Sequence, residues 1–112
     1  MSTKDVVLGY WNAWQDPADF AAMVGYLHSD ASLDMGVFRA ESASEWRAIV
    51  ERDPTPWDDV ALLASVFADD NAAIVYEGTH RVSGQRFRVA ELITLRDGKI
   101  ATVHGVLTEV PR

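Results

Sequence analysis

Between Gln85 and Gly105 the sequence reads Gln-Arg-Phe-Arg-Val-Ala-Glu-Leu-Ile-Thr-Leu, then Arg-Asp-Gly-Lys, then Ile-Ala-Thr-Val-His-Gly. Two alternating runs flank an Asp-Gly pair, and Asp-Gly suits the two positive-φ positions of a tight hairpin. No other stretch constrains the fold as strongly. Side chains in a strand alternate between faces. Phe87, Val89, Glu91, Ile93 and Leu95 therefore share one face, and Arg86, Arg88, Ala90, Leu92, Thr94 and Arg96 the other. The first set is bulkier and less charged, which marks it as the core side. Glu91 stands in its middle, where a carboxylate is costly unless paired or protonated.

Two-residue turns extend the register. With Asp97-Gly98 as the turn, Leu95 faces Ile100, Ile93 faces Thr102, and Glu91 faces His104. With Ser83-Gly84 as the preceding turn, Gly78 faces Val89 and Tyr76 faces Glu91. The expectation is one row of Tyr76, Glu91 and His104 across three strands, on the core face. One residue of slip would break it, because it turns every side chain over. The same registers align an outer row: Val75 faces Leu92, and Leu92 faces Val103, with Gly105 and Leu107 nearby. Val60, Leu62, Ala64 and Val66 join it from the strand before. This apolar centre is rimmed by Glu77, Arg81, Arg86, Arg88 and Glu109. Such a patch predicts a homodimer formed through the outer sheet face.

The chain ahead of the hairpins is helical in period. Ser2 and Asp5 form a capping-box pattern, followed by Val6, Val7, Tyr10, Trp11 and Trp14 at helical spacing. Asp16-Pro17 reads as the N-cap and first position of a second helix, with Phe20, Met23, Val24 and Leu27 as its apolar face, running to about His28. Residues 31–35 are a short strand stopped by Gly36. Ser42 and Glu45 open a third helix with Trp46, Ile49 and Val50, ended by Asp53-Pro54. From Trp57 the period changes to two. Residues 57–68, 71–82, 85–95 and 99–110 are four long strands in an antiparallel meander. The order α-α-β-α-β-β-β-β predicts an α+β domain, three helices packed on a curved, mainly antiparallel sheet, with a pocket between the layers.

The chain of 112 residues fits one domain, spanning 1–112. A net charge of −7 without a basic stripe argues against nucleic acid. The absence of cysteine excludes disulfides and thiol nucleophiles and suits a reducing cytosol, so a cytoplasmic location is expected. No signal peptide and no membrane-spanning run is visible. The three histidines fall on different elements, so no metal site is expected. No phosphate-binding glycine loop or serine elbow appears.

Two readings fit Glu91: a structural carboxylate satisfied by Tyr76 or His104, or an acid/base whose pKa is raised by an apolar pocket. His104 is a core histidine bonded to Glu91 or a proton shuttle beside it. Tyr76 is a satisfied core tyrosine or a hydroxyl donor to a ligand. His28 would satisfy carbonyls at the end of the second helix. Asp34 points away from Leu33 and Met35 by alternation. Trp11, Trp14, Met35, Trp46 and Phe87 are the candidates to line a pocket for a small hydrophobic molecule.

The element order resembles the nuclear transport factor 2-like superfamily. So do Asp19-Phe20 through Asp30-Ala31 leading into the short strand, and Leu95-Arg96-Asp97-Gly98-Lys99-Ile100. The resemblance covers the whole chain. It implies the cystatin-like cone shared by SnoaL-type polyketide cyclases, ketosteroid isomerases, scytalone dehydratase and limonene epoxide hydrolase. It also implies cofactor-free acid/base chemistry (isomerisation, dehydration or cyclisation), and often dimers. Glu91 matches the acidic oxyanion-hole position of ketosteroid isomerases by type. Their base aspartate falls on Met35, beside Asp34, and their first-helix tyrosine falls on Trp11, beside Tyr10. With one position of three matched, steroid isomerisation itself is not expected. The resemblance also leaves open a non-catalytic ligand-binding or interaction domain.

Overall fold

The computed structural model describes residues 1–15, 17–52 and 57–111. Helix α1, Thr3–Ala13, opens with the expected capping box. The Ser2 hydroxyl accepts from the Asp5 N–H, and the Asp5 carboxylate accepts from the Ser2 N–H. Its buried face is Val6, Val7, Tyr10 and Trp11.

Helix α2, Phe20–Gly25, is shorter than its periodicity implies at both ends. Asp19 caps it, accepting from the Ala22 N–H at 3.0 Å. Pro17 precedes the helix, and Asp16 lies outside the described residues. The helix stops at Gly25 because strand β1, Leu27–Asp34, begins at once. That strand buries Leu27, Ala31 and Leu33 and pairs in parallel with the last strand. The sheet bonds outweigh a weak helical preference in so short a segment. The Tyr26 carbonyl accepts from the Ile100 N–H at 2.9 Å. His28 thus lies on a strand, with Nε2 2.5 Å from the Arg96 carbonyl oxygen, and does not end a helix.

Strand β2, Arg39–Ala40, adds a two-residue edge. Helix α3, Ala43–Arg52, starts where Ser42 Oγ accepts from the Glu45 N–H at 3.1 Å. The Asp53-Pro54 stop lies outside the described residues. Strands β3 (Trp57–Ala68), β4 (Asn71–His80), β5 (Arg86–Arg96) and β6 (Lys99–Glu109) form the expected meander. The sheet order is β2-β1-β6-β5-β4-β3, antiparallel except at β1–β6. The architecture is α+β, with three helices on one face of a curved sheet. The core joins α1 (Val6, Val7) to Ile74, Ile93, Ile100 and Val103 of the sheet. Among the described residues, no helix is long and apolar enough to cross a membrane.

The hairpin registers decide which side chains meet. Asp97 and Gly98 take positive φ, 52° and 77°, as a tight turn needs, and Leu95 faces Ile100. Ala101 is then extra. Thr94 faces Thr102, Ile93 faces Val103, and Glu91 faces Gly105. This bulge exchanges the faces of everything beyond it. Val103 enters the core with no exposure, and His104 comes out beside Leu92. The exchange has a plain driving force: valine is buried at little cost, and an imidazole is not.

Between β4 and β5 the chain makes a longer loop, 81–85, closed by Gly84 N–H to the His80 carbonyl at 2.8 Å. Thr79 faces Arg86, which slides the pair by two residues from a two-residue turn. Two residues is one full period, so Tyr76 and Glu91 keep the core face. They are diagonal neighbours: Tyr76 faces Val89 and Ile74 faces Glu91. Bulges also reorder β3, where Val60 and Leu62 pack against the core and Val66 faces outward beside Ala73.

Candidate functional site

Glu91 is 2% exposed, and its carboxyl meets two phenols. Tyr76, from the neighbouring strand, donates to Oε2. Tyr10, from the inward face of α1, donates to Oε1 at 3.4 Å. Burial pushes the Glu91 pKa up to about 7, while the hydrogen bonds from Tyr76 and Tyr10 pull it down. Burial, and the carboxylate beside them, hold both phenols well above the ordinary tyrosine value. In this trio the carboxyl is therefore the group that changes charge near neutrality.

The trio lies in the wall of a cavity of about 610 Å³ between the helices and the sheet. The rest of the described lining is almost wholly apolar. Trp14 comes from the end of α1, Phe20 and Met23 from α2, Leu33 and Met35 from β1 and its end, and Trp46, Ile49 and Val50 from α3. Ala18, Val37, Phe38 and Arg52 are its exposed members and mark the mouth. Opposite Glu91, Gly105 has no side chain, and a Cβ there would run into the Met35 thioether. The glycine is what lets Met35 lie across β6 and reach the cavity.

Of the residues expected at the site, Glu91, Tyr76, Trp14, Met35 and Trp46 line the cavity. His104 does not. The Ala101 bulge puts it on the opposite face of the sheet, across from Leu92 and paired in parallel with Asp34. It cannot share a proton with Glu91 inside the cavity. Trp11 stands behind the wall, edge-on to Trp14 and Tyr76 at centroid distances of 6.3 and 5.8 Å. Its indole N–H has no partner among the described residues. Phe87 packs against Trp57 at 5.8 Å and is not part of the lining. Asp34 keeps the outward direction alternation gave it. It accepts from the Gly36 N–H at 2.9 Å and pairs with Arg39 at 3.2 Å. No cluster able to hold a metal occurs among the described residues.

Tyr10 is the site residue that the sequence left in the core. Its position was legible: it follows Val6 and precedes Trp14 by four residues each, on the face α1 turns to the sheet. What was not legible is that Glu91 lies beneath it. The family comparison pointed to Trp11, one residue away; the hydroxyl comes from Tyr10.

No family model matches the chain, and no curated protein matches it. Solved structures do. An NTF-2 like protein of unknown function from Burkholderia xenovorans LB400 superposes with a TM-score of 0.84, covering 97% of this chain and 84% of that one at 14% identity. An NTF2-like protein from Burkholderia thailandensis E264 is 26% identical, with a TM-score of 0.72 over 96% of this chain and 92% of the other. An LEH-like epoxide hydrolase from M. tuberculosis gives 0.77 at 16% identity, over 93% and 80%. The chain has the nuclear transport factor 2-like fold. That fold serves many chemistries, so the function has to be argued from the cavity.

Proposed function

We propose that the protein is a small-molecule enzyme that moves protons on a hydrophobic substrate by cofactor-free acid/base chemistry, with isomerisation as the reaction that fits best. One observation carries this: a buried carboxyl with a pKa of about 7 holds two phenols in the wall of an apolar cavity. Ionised Glu91 takes a proton from a carbon next to a substrate carbonyl, and the electron pair moves onto the carbonyl oxygen. The two phenols, until then donating to the carboxylate, are released as Glu91 becomes neutral. A phenol proton then turns to the new oxyanion. Glu91 returns its proton at a second carbon. Among the described lining residues Glu91 is the only carboxyl, so the same group removes and returns the proton.

The test is deuterium exchange at the α-carbons of a panel of bicyclic ketones, followed by NMR in heavy water. Exchange should rise with pH through a midpoint near 7, and Glu91→Gln should abolish it. Ketones that bind while exchanging no faster than in buffer would make the cavity the site of a non-catalytic binding protein.

We further infer that the protein pairs with a second copy through the outer sheet face, with a different membership from the expected row. Val103, Gly105, Leu107, Val60 and Leu62 belong to the inner side. Val66, Leu92 and Val106 are 68%, 63% and 69% exposed and form the apolar centre with Ala73 and Ala90. Glu77, bridged by Arg86 at 3.0 Å and Arg88 at 2.9 Å, bounds it on one side. An apolar centre with a charged border suits a self-complementary two-fold contact. Light scattering should give a dimeric mass that Leu92→Glu reduces to the monomer. A monomeric mass for the unaltered protein overturns the dimer.

A further inference from the structure

Proton transfer at Glu91 leaves one polar member of the cavity unused. Arg52, in the last turn of α3, lines the cavity and is exposed at its mouth. In this acidic chain the other described arginines have carboxylate partners. Arg39 pairs with Asp34, Arg47 with Glu51, Arg81 with Asp58, Arg86 and Arg88 with Glu77, and Arg96 with Asp30. Arg52 has neither an ion pair nor a hydrogen bond among the described residues. It is also the only cation among the described lining residues, as Glu91 is the only carboxyl.

The two polar positions divide the cavity. The carboxyl and its phenols are buried; the guanidinium stands where water still reaches it, so holding it there costs little. The rest of the wall is apolar, with Phe20, Ile49, Val50 and Trp46 among its members. A ligand matched to this wall has an apolar body, a carbonyl or hydroxyl for the buried trio, and a negative group for the mouth. A chain of net charge −7 repels anions at a distance, so selectivity for one has to come from local contact. The guanidinium fork offers two parallel N–H donors spaced for a planar carboxylate.

We propose that Arg52 binds the carboxylate end of the cavity's ligand, making the substrate class an apolar carboxylic acid. This rests on the cavity being the ligand site and extends it to the ligand's charge. The probes are 2-naphthoate, its neutral isostere 2-acetylnaphthalene, and 2-naphthalenesulfonate, titrated by calorimetry. The unaltered protein should bind naphthoate about tenfold more tightly than the ketone, the size of one charge-assisted contact at a partly solvated site. The preference should shrink as salt is raised. Arg52→Gln should remove it and leave ketone binding in place, and Arg52→Lys should restore part of it. Naphthoate binding no tighter than the ketone overturns the proposal, as does a preference that survives Arg52→Gln. Tighter binding of the sulfonate than of naphthoate overturns the carboxylate assignment. A lower Tm in Arg52→Gln with the preference intact would mean that the arginine serves only the end of its helix. If no probe binds at all, the cavity is not the ligand site and both proposals fall; ketone binding without selectivity removes this one alone.

Discussion

The two hairpins that flank β5 depart from the registers of plain two-residue hairpins in different ways, and the departures have opposite consequences. At 81–85 the chain takes a longer loop, and the register slides by two residues. Two is the period of a strand, so Tyr76 stays on the face of Glu91 and its hydroxyl still reaches the carboxyl. At Asp97-Gly98 the turn itself is as tight as its residues suggest, yet one bulged alanine follows it. One residue is half a period, and His104 is lost from the core face. A visible change in loop length left the site intact, and a change of one residue inside a strand rewrote it. Parity, more than distance along the strand, decides which groups meet.

The harshest way to break that contrast is to exchange two neighbours in one double variant, Val103→His with His104→Val. At the present parity the exchange puts an imidazole where Val103 has no exposure and a valine on the outer face beside Leu92. The expected cost is more than about 4 kcal/mol, enough to unfold a domain of this size. Urea denaturation followed by circular dichroism measures it. An exchanged variant as stable as the parent would show that the strand has no preferred parity.

Next in size is the coupling that the two-residue slide preserved. The folded Glu91 pKa of about 7 lies above the usual glutamate value of 4.5. The folded chain therefore holds the proton more tightly than the unfolded chain does. That stabilisation is complete below about pH 4.5 and is lost as pH rises through about 7, a difference of about 3 kcal/mol. Glu91→Gln, which has no charge to bury, should be more stable than the parent by up to that amount at about pH 8. The two should match near pH 4. Parallel stability curves for the two proteins would mean that Glu91 is not held neutral by its surroundings.

A smaller effect is expected in the 81–85 loop. Inserting Gly-Gly after Val82 lengthens a solvent-facing connection without touching either strand. Loop-closure entropy puts the cost below about 0.6 kcal/mol. Thermal melting reads it, and a loss several times larger would mean that the loop conformation, not the strand pairing, fixes the Tyr76 register.

His104→Ala should do least. An exposed residue off the cavity should change stability by no more than about 0.5 kcal/mol, and the pH midpoint assigned to Glu91 should stay where it is. A moved midpoint would restore the histidine to the site despite its face.

Much of the fold was present in local chemistry. The Ser2–Asp5 and Ser42–Glu45 patterns placed two helix starts, the change from helical to alternating period at Trp57 placed β3, and Asp97-Gly98 placed a turn. These are short-range preferences, written in residues that touch each other whatever the rest of the chain does. Glu91 was legible for the same reason, as one acid in an apolar stripe. Three things were decided only by packing. The parallel pairing of β1 with β6 cut α2 short, because the sheet bonds join residues some seventy positions apart. Tyr10 reached Glu91 because α1 lies across the sheet at that point, which its own periodicity cannot specify. The bulge at Ala101 arose because the core accepts Val103 more readily than His104. Only the assembled core compares those two side chains, so only the tertiary structure chose between them.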